Sequence, residues 1–165
     1  MNNRDGVSCY DKGTALAKQG KYVEAITAFG LALTFPLDSL QESKIHFELA
    51  QVYDALNDGS AAIRSFNQVI HLYPKNNAAD LTARAYFNRG RRLLMQDRAH
   101  PAGVADSQKS FELEPDLAKE FPLDNLKYYY KNYYNAYLKI RDFYPLRTRL
   151  NDCDYQGNVY PVLTD

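Results

Sequence analysis

The stretch Gly13 to Pro36, GTALAKQGKYVEAITAFGLALTFP, constrains the fold more than any other part of this chain. After the turn Gln19-Gly20-Lys21, small or apolar side chains recur at offsets of 3, 4, 7, 10 and 11 residues: Tyr22, Ala25, Ile26, Phe29, Ala32 and Leu33. These offsets fit the 3.6-residue period of a helix and not the two-residue period of a strand. The stretch therefore predicts two helices that are joined by a tight turn and packed closely at Gly13.

The same pattern returns twice along the chain. Aligning Ala62 on Ala25 gives a period of 37 residues and places Ala50 at the position of Gly13 and Phe66 at that of Phe29. In the third copy Gly90 takes the small position, while Ser107 and Ser110 replace the equivalents of Phe29 and Ala32. We therefore expect the third helix pair to pack less well than the first two.

A helix, a turn and a helix carrying Gly, Tyr, Ala, Phe and Ala, followed by Pro, resembles the tetratricopeptide (TPR) repeat. The resemblance covers about residues 8–115. It implies an all-α fold, a right-handed α-solenoid of three helix pairs with repeats at about 8–36, 40–74 and 78–115. Residues 1–7 are expected to fray, and Ser39 with Glu42 matches a capping-box pattern at a helix start.

A tyrosine-rich helix is predicted over about residues 124–142. One apolar stripe runs along it: Leu126, Tyr130, Tyr133, Tyr137 and Ile140. A stack of helix pairs leaves its last face open, so we expect this helix to cap the third pair. Residues 1–142 would then form a single TPR domain, followed by an irregular tail over 143–165.

Composition and charge narrow the classes of function. The formal net charge of the 165 residues is zero, which gives no overall field for nucleic acid or membrane. Residues 1–80 carry −2, residues 81–150 carry +5 and residues 151–165 carry −3. Neither a secretory signal nor an 18-residue apolar run is visible, from which a cytoplasmic location is expected. Cys9 and Cys153 are expected to remain thiols.

Motifs for catalysis or metal binding are absent from the sequence. His46, His71 and His100 have no partner at ligand spacing, and His46 occupies an aromatic core position. Residues 152–159 resemble the start of a calcium-binding EF-hand loop, but the twelfth position is Leu163 instead of the required Glu. We therefore expect no enzyme activity, no metal and no cofactor.

The resemblance implies a concave groove lined by the first helix of each pair. Its candidate peptide-binding residues are Tyr10, Asp11, Thr14, Lys44, Phe47, Glu48, Gln51, Arg84, Phe87, Asn88 and Arg91, and Lys18, Asp54 and Met95 also face it. Tyr10, Phe47 and Phe87 hold equivalent positions, which predicts a ladder of rings for an extended peptide. Arg84 and Arg91 share a helix face and predict a place for an acidic group.

One TPR subfamily, the co-chaperones, binds an acidic C-terminus with a two-carboxylate clamp of Lys, Asn, Asn, Lys and Arg. The matching residues here are Tyr10, Thr14, Glu48, Arg84 and Asn88. Only Arg84 is chemically suitable, and Glu48 would repel a carboxylate, so this clamp is not matched.

Binding of an extended partner segment is the function that this pattern favours. Three alternatives stay open: a self-assembling scaffold or chaperone, nucleic-acid binding through the arginines of residues 84–98, and occupation of the groove by the acidic tail Tyr155 to Asp165.

Overall fold

The computed structural model of the protein describes residues 3–96, 100–117, 152–153 and 159–160. Six helices lie within these ranges: α1 (Asn3–Lys18), α2 (Tyr22–Ala32), α3 (Ser39–Ala55), α4 (Gly59–Asn76), α5 (Ala79–Gln96) and α6 (Pro101–Leu113). The expected capping helix over 124–142 lies outside the described residues. In the tail, predicted to be irregular, β1 (Asp152–Cys153) pairs antiparallel with β2 (Val159–Tyr160).

The chain divides within α5 into two compact units, Met1–Ala85 and Tyr86–Asp165, which we call the N-terminal and C-terminal units. The described helices form an all-α helical repeat, as the sequence predicts.

The turns of the first two helix pairs repeat with the predicted period of 37 residues. Gly20 (φ 74°) and Asn57 (φ 60°) both adopt the left-handed conformation. The amide of the next residue then donates back to the preceding helix, from Lys21 to Leu16 O (3.0 Å) and from Asp58 to Tyr53 O (2.9 Å). Glycine and asparagine are the residues that adopt this helix-ending conformation most readily.

Three helix boundaries differ from the prediction. Residues 3–7 were expected to fray, but they belong to the start of α1. Asp5 lies in the first turn, where its negative charge interacts favourably with the positive end of the helix dipole. The capping box before α3 is shifted by one residue: Asp38 Oδ1 accepts from the Gln41 amide (2.8 Å), and Gln41 Oε1 accepts from the Asp38 amide (3.1 Å). Asp38 thus takes the capping position that was predicted for Ser39.

The third difference is at Pro74, which was expected to close the second repeat but lies inside α4. Asn77 follows the last residue of α4 as its C-cap. It adopts the left-handed conformation (φ 50°), and its amide donates a hydrogen bond to Tyr73 O (3.0 Å). A proline near the end of a helix removes only one backbone hydrogen bond, and α4 continues past Pro74.

Two apolar clusters hold the N-terminal unit together, and α3 contributes to both. The first joins α2 to α3 through Ala25, Phe29, Ala32, Ile45, Leu49 and Val52. The second joins α3, α4 and the start of α5 through Phe47, Ala50, Ala62, Phe66, Val69 and Ala85. Because successive clusters share a helix, each hairpin buries apolar surface that it could not bury alone.

Gly13 and Gly90 lie where there is no room for a larger side chain. A Cβ atom on Gly13 would lie 2.6 Å from the Phe29 ring. In the C-terminal unit a Cβ atom on Gly90 would lie 2.9 Å from the backbone oxygen of Gly103. The helices therefore approach closely at both glycines.

The serines of α6 are fully buried and do not leave unpaired hydroxyls. Ser107 Oγ donates to Gly103 O (2.8 Å), and Ser110 Oγ donates to Ser107 O (2.8 Å). Each hydroxyl is thus satisfied by its own helix. Polar side chains on the buried stripe are compatible with close packing here, contrary to the expectation from their type.

Candidate functional site

Each of the three helix pairs contains the same ring contact. The ring centroids are 6.0 Å apart for Tyr10 and Phe29, 5.9 Å for Phe47 and Phe66, and 6.1 Å for Phe87 and Phe111. The equivalence of Tyr10, Phe47 and Phe87 is therefore seen in the structure, and each ring contacts the second helix of its own pair.

These contacts alter the expected use of the rings. Phe47 and Phe87 are only 8% and 3% exposed, because each ring packs edge-on against its phenylalanine partner. Tyr10 is half-buried. Buried rings stabilise the hairpins but offer no open face to a peptide, so a binding surface must use the side chains around them.

Helices α1 and α3 bring a polar group of candidate residues together in the N-terminal unit. We define the α1–α3 face as Tyr10, Thr14, Lys18, Lys44, Glu48 and Gln51. The α1 members recur every four residues and the α3 members at offsets of four and three, so each set lies on one side of its helix. Lys18, Lys44 and Gln51 are exposed, while Tyr10, Thr14 and Glu48 are half-buried.

The half-buried members influence one another electrostatically. Burial raises the pKa of Glu48, and the Lys18 ammonium opposes this rise. Burial also raises the pKa of Tyr10, assisted by the Glu48 carboxylate and by Asp11, while the Thr14 hydroxyl lowers it. Glu48 of α3 therefore lies within electrostatic reach of two side chains of α1.

The polar groups of this face are largely without partners. Among the described residues, Glu48 makes no hydrogen bond and no ion pair within 4.0 Å, and the same holds for Lys18, Lys44 and Gln51. Thr14 Oγ1 is covered and has no hydrogen-bond partner of good geometry there, although it is near enough to Tyr10 to affect its pKa. Half-buried polar groups without partners are unfavourable in a free protein and available to a ligand.

The candidates on α5 have a different environment. Arg84, Asn88 and Arg91 are half-buried, and each already takes part in an interaction within the protein. Met95, at the end of this series, is 46% exposed.

An ion pair in the C-terminal unit was not predicted from the sequence. Arg89 donates from Nε to Asp106 Oδ2 (2.7 Å) and from Nη2 to Asp106 Oδ1 (2.6 Å). The guanidinium also lies 5.3 Å from the centroid of the Tyr86 ring. Asp106 is buried, and an aspartate on the buried stripe of α6 was the signal available in the sequence.

This pair bears on the nucleic-acid alternative. Arg89 is held by Asp106 and Arg92 is buried, so two of the five arginines between residues 84 and 98 do not form an open phosphate-binding surface. Arg98 lies outside the described residues.

The remaining titratable residues include His46 and Cys9. His46 lies 3.9 Å from Glu42, and burial lowers the pKa of its imidazole more than Glu42 raises it. Within the described ranges no three His, Cys, Asp or Glu side chains group as metal ligands. Cys9 is a half-buried free thiol. None of the helices described is long and apolar enough to cross a membrane.

The repeated hairpins, with shared apolar clusters and a regular turn, define a helical-repeat protein. Residues 43–76 match the family model of the tetratricopeptide repeat, a range that contains most of α3 and all of α4. This similarity over residues 43–76 supports a tetratricopeptide repeat domain and suggests a protein–protein interaction module. No curated protein sequence matches the chain.

Proposed function

We propose that the protein is a non-enzymatic interaction module that binds an extended segment of a partner protein on the α1–α3 face. The observation that supports this proposal is the group of polar side chains without partners around Glu48. Residues on the first helix of each TPR pair are those that the resemblance assigns to partner binding. Phe47 lies beneath this surface as part of the packing, and its ring is not a proposed contact.

Binding would combine two contributions. The exposed side chains of Lys44 and Gln51 would form hydrogen bonds at the edge of the interface, where local charge affects both association and affinity. The half-buried Tyr10 and Glu48 would lie at its centre, where contacts that lose water carry most of the binding free energy.

A separate proposal concerns α5. Arg84 and Arg91 both belong to this helix, and each could attract an acidic group of a partner. Since both arginines already have interactions, such a group would have to replace or join those contacts.

Peptide-array binding tests the proposed function. The purified protein is applied to an array of varied internal segments and C-termini, and the affinities of the retained peptides are measured by fluorescence anisotropy. We expect Lys44→Glu/Gln51→Glu to change the affinity at least tenfold, because the two substitutions alter the charge of the proposed surface.

Arg64→Glu/Gln68→Glu is the matched control. It introduces the same two charge changes at exposed positions of α4. An equal change of affinity in both pairs, or no retained peptide, would refute binding on the α1–α3 face. Loss of binding only in Arg84→Glu/Arg91→Glu would move the site to α5.

The same material separates the other candidate functions. A sedimentation coefficient that rises with concentration would favour self-assembly. Oligonucleotide binding with a steep loss of affinity on adding salt would favour nucleic acid. Deletion of residues 150–165 tests the tail: increased peptide affinity in the truncated chain would show that the tail competes for the surface.

A further inference from the structure

We propose that Glu48 selects a basic side chain, lysine or arginine, in the segment that binds the α1–α3 face. This inference rests on the proposed function and adds the charge of the group that is recognised. It follows from the position of Glu48 relative to the other charges of the face.

Glu48 is the innermost charged group of this surface. Its side chain is half-buried, whereas the neighbouring charged residues Asp11, Lys18 and Lys44 are exposed. Exposed charges are screened by salt over about 10 Å or less, and partly buried charges are screened much less. The carboxylate therefore decides which charge is favourable at the centre of the face.

The nearest cation of the protein does not neutralise this carboxylate. The Lys18 ammonium on α1 acts on Glu48 electrostatically, but it forms no ion pair within 4.0 Å. In the described part of the chain the carboxylate also accepts no hydrogen bond. Its oxygens keep their capacity to accept charge-assisted hydrogen bonds from a ligand.

The ring beside Glu48 suits the same ligand group. Tyr10 is half-buried and interacts electrostatically with Glu48 across the two helices. The stem of a lysine or arginine can pack on an aromatic ring while its cationic end meets a carboxylate. A carboxylate of the ligand at this place would be repelled, and a neutral amide would donate a hydrogen bond without the attraction between opposite charges.

The test uses the tightest peptide from the array and a matched set of substitutions in it. An arginine of the peptide is replaced by citrulline, or a lysine by acetyl-lysine. Both changes remove the positive charge and keep the aliphatic stem of the side chain. Anisotropy gives the ratio of dissociation constants for the neutral and the charged peptide. We expect the charged peptide to bind roughly three- to tenfold more tightly, a range set by partial solvent exposure.

Three variants assign this preference to Glu48. Glu48→Gln should reduce the ratio to about one, and Lys18→Gln should increase it because a competing cation is removed. Glu24→Gln, the same change at an exposed site of α2, should leave it unaltered. Circular dichroism confirms that each variant is folded.

The outcomes separate this inference from the proposed function. A ratio near one in the unmodified protein, together with a changed affinity in Lys44→Glu/Gln51→Glu, would overturn the basic-group preference and leave peptide binding in place. A ratio that is unchanged in Glu48→Gln would also overturn it, because another carboxylate would then be responsible. Absence of any retained peptide would refute both.

Discussion

The second and third helix pairs each contain an equivalent contact between two phenylalanine rings, but different side chains surround it. Phe47 on Phe66 is surrounded by alanine and other apolar side chains, which include Ala50 and Ala62. Phe87 on Phe111 belongs to a region with two glycines in close approach and a buried aspartate. The same hairpin is thus built once with apolar packing and once with polar packing.

The two pairs differ first in the position of the phenylalanine on the second helix. By alignment on the first two repeats, the phenylalanine of the third pair would stand at position 107, but it stands four residues later at Phe111. Four residues are about one helical turn, so the ring stays on the same side of the helix. Ser107 then fills the vacated position beside Gly90. A repeat can therefore keep its aromatic contact while the surrounding side chains change character.

Truncation of the two phenylalanines should have the largest effect. We expect Phe66→Ala to reduce the free energy of unfolding by about 4–5 kcal/mol and Phe111→Ala by about 3 kcal/mol. The cavity at Phe66 is enclosed by apolar residues and would stay empty, whereas the polar neighbours of Phe111 would admit water. Urea unfolding followed by circular dichroism measures both, and a larger loss for Phe111→Ala would reverse the comparison.

Removal of the buried carboxylate in the third pair should come next. Asp106→Ala should cost about 2–3 kcal/mol, near the lower end for buried pairs because Arg89 retains some exposure. Hydrogen exchange of the α6 amides should report the loss, while α3 and α4 keep their protection.

The double variant Arg89→Met/Asp106→Leu is the control for polarity itself. It converts this region to apolar packing like that of the second pair, and it should be less destabilised than Asp106→Ala. If Arg89→Met/Asp106→Leu is less stable than Asp106→Ala, then the apolar pair does not compensate for the loss of the ion pair.

A methyl group tests the close approach of the helices. Gly90→Ala should cost about 1–3 kcal/mol, because the added Cβ meets the backbone of Gly103, which cannot move aside as a side chain can. Gly30→Ala, on the open side of α2, should instead stabilise by about 0.5–1 kcal/mol. Thermal unfolding distinguishes the two, and a neutral Gly90→Ala would show that the contact is looser than described.

Helix capping differs between the pairs by a smaller amount. Asp58 Oδ1 accepts from the Ala61 amide (3.0 Å) at the start of α4, whereas His100 makes no side-chain capping bond before α6. We expect Asp58→Ala to cost about 1 kcal/mol and His100→Ala to be nearly neutral with respect to capping. Equal losses in urea unfolding would contradict this assignment.

The smallest predicted effect concerns the ionisation of Glu48, which forms no ion pair with the described residues. Because the pKa of Glu48 is raised in the folded state, its ionised form is disfavoured there. This destabilisation is fully present above the raised pKa and disappears as the pH falls toward the unfolded value of about 4.3.

Glu48→Gln should therefore raise the melting temperature by about 1 °C at pH 7 and leave it unchanged near pH 4. Glu24→Gln should have no such pH-dependent effect, because Glu24 is exposed. A lower melting temperature for Glu48→Gln at pH 7 would mean that the carboxylate stabilises the fold.

Much of the helical framework could be predicted because it depends on local spacing. The turn at Gly20, the period of 37 residues and the small positions at Gly13 and Gly90 all follow from periodicity and residue size. The capping box at Asp38 was predicted one residue late, since Ser39 and Asp38 are both good capping residues and only backbone geometry distinguishes them. The basic and acidic candidates on α1 and α3 could also be placed from their positions in the repeat, whereas their lack of partners could not.

The sequence by itself determined that this chain forms helix hairpins, because a 3.6-residue apolar period and regularly placed small residues leave few other folds, and their pattern resembles the tetratricopeptide repeat. Only the tertiary structure decided how the rings and charges of those helices are used. Phe47 and Phe87 contact the second helix of their own pair, and Arg89 meets Asp106 across 17 residues of sequence. Such choices depend on distances between helices, and helical spacing within one segment contains no information about them.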